Sequence, residues 1–176
     1  VMSEIFENAI ELKNVTKKYD GFTLDNINFN VPKGSIMGFI GQNGAGKTTT
    51  IRSILNLVPI DEGEIKMFGL DHKKDEREIK ERIAVVFDEL PFHDVFNANH
   101  MGKIFGGIYK NWDNEKYTEY LDRFQLPRKK KIGKFSKGMK MKLQIACALS
   151  HNAELLVMDE ATTGLDPVVR NEILDI

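Results

Sequence analysis

Gly41-Gln42-Asn43-Gly44-Ala45-Gly46-Lys47-Thr48-Thr49 fits the phosphate-loop pattern GxxxxGK[ST] in full. An apolar run of strand length, Ser35-Ile36-Met37-Gly38-Phe39-Ile40, leads into it. Beyond it, Ile51, Ile54, Leu55 and Val58 recur at helical spacing. Strand, glycine loop and helix in that order predict a nucleotide site. A polyphosphate is wrapped by backbone N–H groups, and a Cβ at Gly41, Gly44 or Gly46 would hold the chain away or forbid its turn. The intervening Gln42, Asn43 and Ala45 offer further amides. The positive end of the helix faces the anion. Lys47 reaches the β- and γ-phosphates as a compact charge, and the Thr48 hydroxyl, followed by Thr49, is placed to ligate Mg²⁺.

Composition sets the frame around this loop. With 176 residues, 41% hydrophobic and 29% charged, the chain suits one soluble domain, or one with a subdomain. Its net charge of −1 gives no basic excess to suggest a nucleic-acid partner. Cys147 is the only cysteine, which excludes an intrachain disulfide and fits a reducing compartment. No apolar stretch reaches the length of a membrane span.

Two alternating segments precede the loop, Ala9 to Val15 and Phe22 to Val31. They read as strands of a small antiparallel sheet, and Pro32-Lys33-Gly34 turns the chain toward the loop. After the first helix, Asp61-Glu62-Gly63 reads as a turn and Glu64 to Phe68 as a short strand ended by Gly69. Asp75 to Arg82 reads as an exposed helix, and the apolar run Ile83 to Phe87 as a buried parallel strand closed by Asp88 and Glu89. Helices are expected near Asn97 to Tyr109, Asn114 to Phe124 and Ser136 to Ser150, with caps at Asp113 or Asn114 and at Ser136. Arg128 to Lys131 reads as a solvated basic loop.

Leu155-Leu156-Val157-Met158-Asp159-Glu160 is an apolar strand that ends in two acids. Ligands sit at the carboxyl edge of open parallel sheets. Given the phosphate loop upstream, Asp159 is expected to meet the Mg²⁺ held by Thr48, and Glu160 to polarise the attacking water. Pro167 opens a further helix.

Together these segments resemble the ATP-binding cassette (ABC) family, specifically the nucleotide-binding subunit of an ABC transporter. The most specific element is Phe135-Ser136-Lys137-Gly138-Met139. It opens a helix shortly before the Asp159 strand, where the family carries its Leu-Ser-Gly-Gly-Gln signature. Ser136 and Gly138 match; Lys137 and Met139 depart, in a version similar to that of bacterial antibiotic-exporter subunits. Thr163-Gly164-Leu165-Asp166-Pro167 resembles the family's D-loop. Tyr19 lies where the family stacks an aromatic on adenine. Asp88 stands where the family has a glutamine that touches Mg²⁺ and water, so the resemblance makes it a candidate metal ligand. None of His72, His93, His100 or His151 occupies the family's switch-histidine position, and all are expected to be surface or packing residues.

The resemblance implies an α/β fold: a P-loop NTPase core with a mostly parallel sheet and flanking helices, an N-terminal antiparallel β-subdomain and an inserted helical subdomain. Core and β-subdomain would take residues 1–93 and 153–176, and the helical subdomain 94–152, with the last core strands missing. The implied activity is ATP hydrolysis with Mg²⁺, coupled to transport and of the exporter type. The implied partners are a second ABC subunit, in a head-to-tail homo- or heterodimer where Ser136 and Gly138 close the other subunit's ATP site, and a separate transmembrane permease. The expected location is cytoplasmic, peripheral on the membrane's inner face. The alternatives are a soluble ABC ATPase acting on ribosomes or DNA and a P-loop kinase. Against them stand the single phosphate loop, the short gap between the nucleotide motifs and the Ser136 motif.

Overall fold

The computed structural model describes residues 7–88 and 92–159. The chain divides into two compact units, Val1–Lys80 and Glu81–Ile176. The expected helical stretch from 94 to 152 falls inside the second.

The first unit is built on a four-stranded antiparallel sheet in the order β2-β1-β3-β4. Its strands are β1 (Asn8–Tyr19), β2 (Phe22–Pro32), β3 (Glu62–Met67) and β4 (Leu70–Asp71). Period-two alternation buries Ile10 and Leu12 of β1 and Ile65 and Met67 of β3, and a register shift after Leu12 brings Val15 into the buried set with Leu24. Both tight connections follow from turn chemistry. Asp20-Gly21 joins β1 to β2, with Tyr19 opposite Phe22. Phe68-Gly69 joins β3 to β4 with both residues at positive φ, 54° and 78°, as a primed two-residue hairpin requires. β3 starts at Glu62, inside the expected turn, because Gly63 at φ +93° lets the strand continue. Any Cβ there would run into the backbone carbonyl of Asn14. Helix α1 (Lys47–Ile54) follows the glycine loop and ends earlier than its apolar spacing predicts.

One sequence expectation fails in this unit. Ser35 to Ile40 is not a strand: it has no regular structure, with Ile36 102% and Ile40 97% exposed. An extended segment becomes a strand only when a neighbour takes its backbone N–H and C=O groups, and no ladder partner for it occurs among the described residues. Phe39 keeps a single tilted ring contact with Phe29, at 5.5 Å between centroids.

Helix α2 (Glu76–Arg82) runs into the boundary between the units, and the second unit opens with β5 (Ile83–Phe87). β5 pairs in parallel with β6 (Leu155–Asp159), placing Phe87 opposite Asp159. This register is pinned at its start. The Arg82 guanidinium donates to Glu154 through Nε at 2.7 Å and through a terminal nitrogen at 3.2 Å, and the Glu154 N–H donates to the Arg82 carbonyl at 2.7 Å. Between the strands come α3 (Ala98–Ile108), α4 (Asn114–Arg123), a 3₁₀ turn (Ile132–Lys134) and α5 (Lys137–Leu149). Each of the three α-helices starts at a side-chain cap. Asn97, Asp113 and Ser136 accept from the N–H of His100, Lys116 and Met139 respectively.

The core of this unit gathers Val86, Met101, Tyr117, Ile132, Met141 and Leu143. Tyr117 satisfies its buried hydroxyl by donating to the Ala98 carbonyl at 2.8 Å. Beside it Cys147 is 2% exposed, and burial pushes its thiol up to about 12. The four histidines behave as expected. His72 and His151 are packed inside their units, each with a ring nitrogen against a backbone carbonyl, while His93 and His100 are exposed. Among the described residues no helix is long and apolar enough to cross a membrane.

Candidate nucleotide-binding site

The predicted site residues fall into two groups, one in each unit. In the first unit the glycine loop forms a tight cradle. Gly44 and Gly46 sit at φ +84° and +89°, which side chains disfavour. Gly46 is doubly constrained: a Cβ there would lie 2.8 Å from Leu24 Cδ1 and 3.2 Å from Phe22 Cζ. Its bare backbone therefore packs against β2 while opening α1. No side-chain oxygen caps this helix and no acid lies in its first turn. Helices α3, α4 and α5 use Asn97, Asp113 and Ser136 for that purpose, whereas at α1 an incoming anion meets the amides without a first-turn carboxylate.

Lys47 is folded over the loop. Its ammonium donates to the carbonyls of Gly41, at 2.8 Å, and Gln42, at 3.0 Å. Ala45 closes the turn by donating to the Gln42 carbonyl at 3.1 Å. The cation thus stands against the loop that Gly41 to Gly46, with Asn43 among them, outline. Thr48 and Thr49 occupy the first turn of α1. Thr50, which the sequence reading did not single out, anchors that turn by donating its hydroxyl to the Gly46 carbonyl at 2.9 Å.

Tyr19 stands at the end of β1, 44% exposed and stacked on Phe22 at 6.4 Å. Because Phe22 also bounds the space at Gly46, the hairpin tip forms an aromatic wall beside the loop. Lys17 lies 5.4 Å from the Tyr19 ring centre. Phe22 was missed at the sequence level, although its place beside Asp20-Gly21 was a usable signal.

In the second unit Asp159 ends β6, and Asp88 follows β5 one residue past the partner of Asp159. Both acids therefore lie at one carboxyl edge of the parallel pair, where open sheets hold ligands. Glu160, the Thr163 to Pro167 segment and the helix expected after Pro167 lie outside the described residues. Ser136 caps α5 through Met139 N–H at 3.2 Å, with Gly138 in the first turn. The ammonium of Lys137 lies 2.6 Å from Asp88 Oδ1. The donor set suits Mg²⁺, a hard cation that takes oxygen ligands from one or two protein groups and completes its shell with phosphate and water. Among the described residues no cluster of three metal-ligating His, Cys, Asp or Glu side chains occurs.

The end of β5, next to Asp88, is held by a residue the sequence reading also missed. Gln144, 4% exposed on α5, accepts from the Phe87 N–H at 3.1 Å and donates to the Phe87 carbonyl at 2.9 Å. The amide satisfies both backbone groups of the last β5 residue. Gln144→Leu keeps the volume but leaves a part-buried N–H and C=O without their side-chain partner, at a cost of about 1–3 kcal/mol. The expected result is a melting temperature about 3–10 °C lower, measured by calorimetry. An unchanged transition would show that the clamp does not hold in solution.

Comparison with known proteins agrees with this layout. Residues 24–163 match the ABC transporter family. The bacitracin transport ATP-binding protein BcrA of Bacillus licheniformis is 42% identical over 164 residues, covering 90% of this chain and 53% of that protein. The linearmycin resistance ATP-binding protein LnrL of Bacillus subtilis (strain 168) is 37% identical over 172 residues, covering 94% of this chain and 55% of that one. The chain thus spans about half the length of the curated relatives it matches. Among solved structures, an ATP binding subunit of an ABC transporter matches with a TM-score of 0.84 at 26% identity, over 95% of this chain and 72% of that chain. With the phosphate loop, the capped signature helix and the paired acidic strand ends in place, this match over most of its length shows that the chain belongs to the ABC transporter family.

Proposed function

We propose that this chain is the ATP-binding and ATP-hydrolysing subunit of an ABC transporter of the exporter type. The observation that carries this reading is the Lys47 ammonium, poised over the positive-φ glycine loop at the uncapped start of α1. That arrangement offers fixed amides and one mobile charge to a triphosphate. Relatives named for bacitracin transport, linearmycin resistance and daunorubicin/doxorubicin resistance support export as the direction.

In this reading Tyr19 stacks on the adenine, and Gly41 to Thr49 enclose the phosphates. Thr48 and Asp159 hold Mg²⁺, which would neutralise charge on the phosphoryl oxygens. Lys47 and the loop amides stabilise the charge that develops as the γ-phosphoryl group moves. Glu160 orients the attacking water and takes up its proton. Ser136 and Gly138 meet the γ-phosphate of a second subunit, so ATP draws two subunits together and hydrolysis parts them. A separate membrane permease converts that motion into transport, which places the subunit on the cytoplasmic face of the membrane.

The test is co-purification of the intact tagged subunit from detergent-solubilised cells. A polytopic membrane protein retained in stoichiometric amount is expected. Ribosomes or DNA in its place would move the function to the soluble, non-transport branch of the family.

A further inference from the structure

Two departures from the family pattern, Asp88 and Lys137, meet in space. Lys137 and Gln144 lie seven residues apart, so they share one face of α5, and both reach the end of β5 from that face. Their attachments differ in kind. Gln144 makes a buried, neutral, two-bond clamp on the backbone of Phe87. Lys137 makes an ion pair with Asp88, both side chains being part-exposed, at 45% and 42%. The Oδ1 atom of Asp88 is itself shielded from water and has no aligned hydrogen-bond partner among the described residues. The ammonium at 2.6 Å is therefore its charge compensation.

We propose that Asp88 and Lys137 form an exchangeable latch. Asp88 is the resting counter-ion of Lys137, and a triphosphate presented to the start of α5 draws the ammonium away. Gln144 is a positioning residue that keeps the carboxylate within reach. This rests on the reading of the chain as a subunit that dimerises on ATP, and it assigns Asp88 to Lys137 rather than to Mg²⁺. The strength of the pair suits exchange. An ion pair this exposed is worth a small amount, whereas a triphosphate carries several charges and accepts an ammonium in the same way as a carboxylate. The amide of Gln144 is neutral and cannot be drawn off by an anion, so the clamp stays fixed while the latch opens.

The test is a double-mutant cycle in the intact subunit, using Asp88→Asn, Lys137→Gln and both together. A non-hydrolysable ATP analogue with Mg²⁺ is titrated while dimer formation is followed by sedimentation. The Mg²⁺ concentration for half-maximal analogue binding is measured separately. Releasing the latch by Asp88→Asn is expected to lower the analogue concentration for half dimerisation about two- to fivefold. In the Lys137→Gln background the same change is expected to have no effect, and the Mg²⁺ midpoint to be unmoved. An equal effect of Asp88→Asn in both backgrounds, or a raised Mg²⁺ midpoint, would overturn the latch while leaving the nucleotide reading intact. A parental subunit that binds no analogue would overturn both.

Discussion

Lys47→Ala lowers ATP affinity by about a hundredfold or more. The ammonium lies at the glycine loop, where it spans the carbonyls of Gly41 and Gln42. A charged hydrogen bond contributes about 1.5–3 kcal/mol, and in the proposed site Lys47 would reach two phosphates, so removing it would forfeit both contacts at once. Alanine is a good helix former, so α1 survives the change. The loss belongs to binding and not to folding. Titration with a fluorescent ATP analogue, beside a circular-dichroism spectrum, separates the two. Unchanged affinity would remove the phosphate loop from the site altogether.

Glu160→Gln leaves ATP binding intact and slows hydrolysis by about 10²- to 10⁴-fold, the range for loss of a general base. The amide keeps the size and hydrogen-bonding reach of the carboxylate but cannot accept a proton. In sequence Glu160 comes directly after Asp159, and Asp159 itself ends β6 at the carboxyl edge where Asp88 also stands. With hydrolysis stalled, the ATP-bound dimer is expected to accumulate, and size exclusion of the intact subunit with Mg²⁺ and ATP reads it directly. Hydrolysis at the parental rate would reassign the base to another residue.

What the sequence revealed, and what it hid, follows from the range of the interactions involved. The glycine loop was legible because its requirements are local: positive φ at Gly44 and Gly46, and a lysine one step beyond. The Ser136 and Asp113 caps were legible for the same reason, since each side chain bonds three residues ahead within its own helix. β5 and β6 announced themselves as continuous apolar runs with acids at their ends. Ser35 to Ile40 looks equally apolar, but a strand depends on neighbours that its own residues do not specify, and the described structure gives it none.

The Gln144 clamp and the Asp88–Lys137 pair were hidden because each joins residues far apart in the chain. Both had left traces. Gln144 is a polar residue set among Leu143, Ile145 and Ala146, in a stretch of α5 that is buried all round, and such a residue needs a partner. Asp88 and Lys137 are departures of opposite charge, the mark of residues that compensate one another. The aromatic wall at Gly46 went unread: Asp20-Gly21 is a hairpin dipeptide that the sequence reading passed over, and only the fold brings Phe22 and Leu24 against the loop.

Cys147 has a practical consequence. It is the chain's only thiol, it is enclosed in the second unit's core, and its ionisation is displaced far from neutrality. Since the thiolate is the reacting species, alkylating dyes and spin probes will pass the native protein by. The molecule is in effect a cysteine-free background, and a single reporter installed on its surface will carry the whole signal.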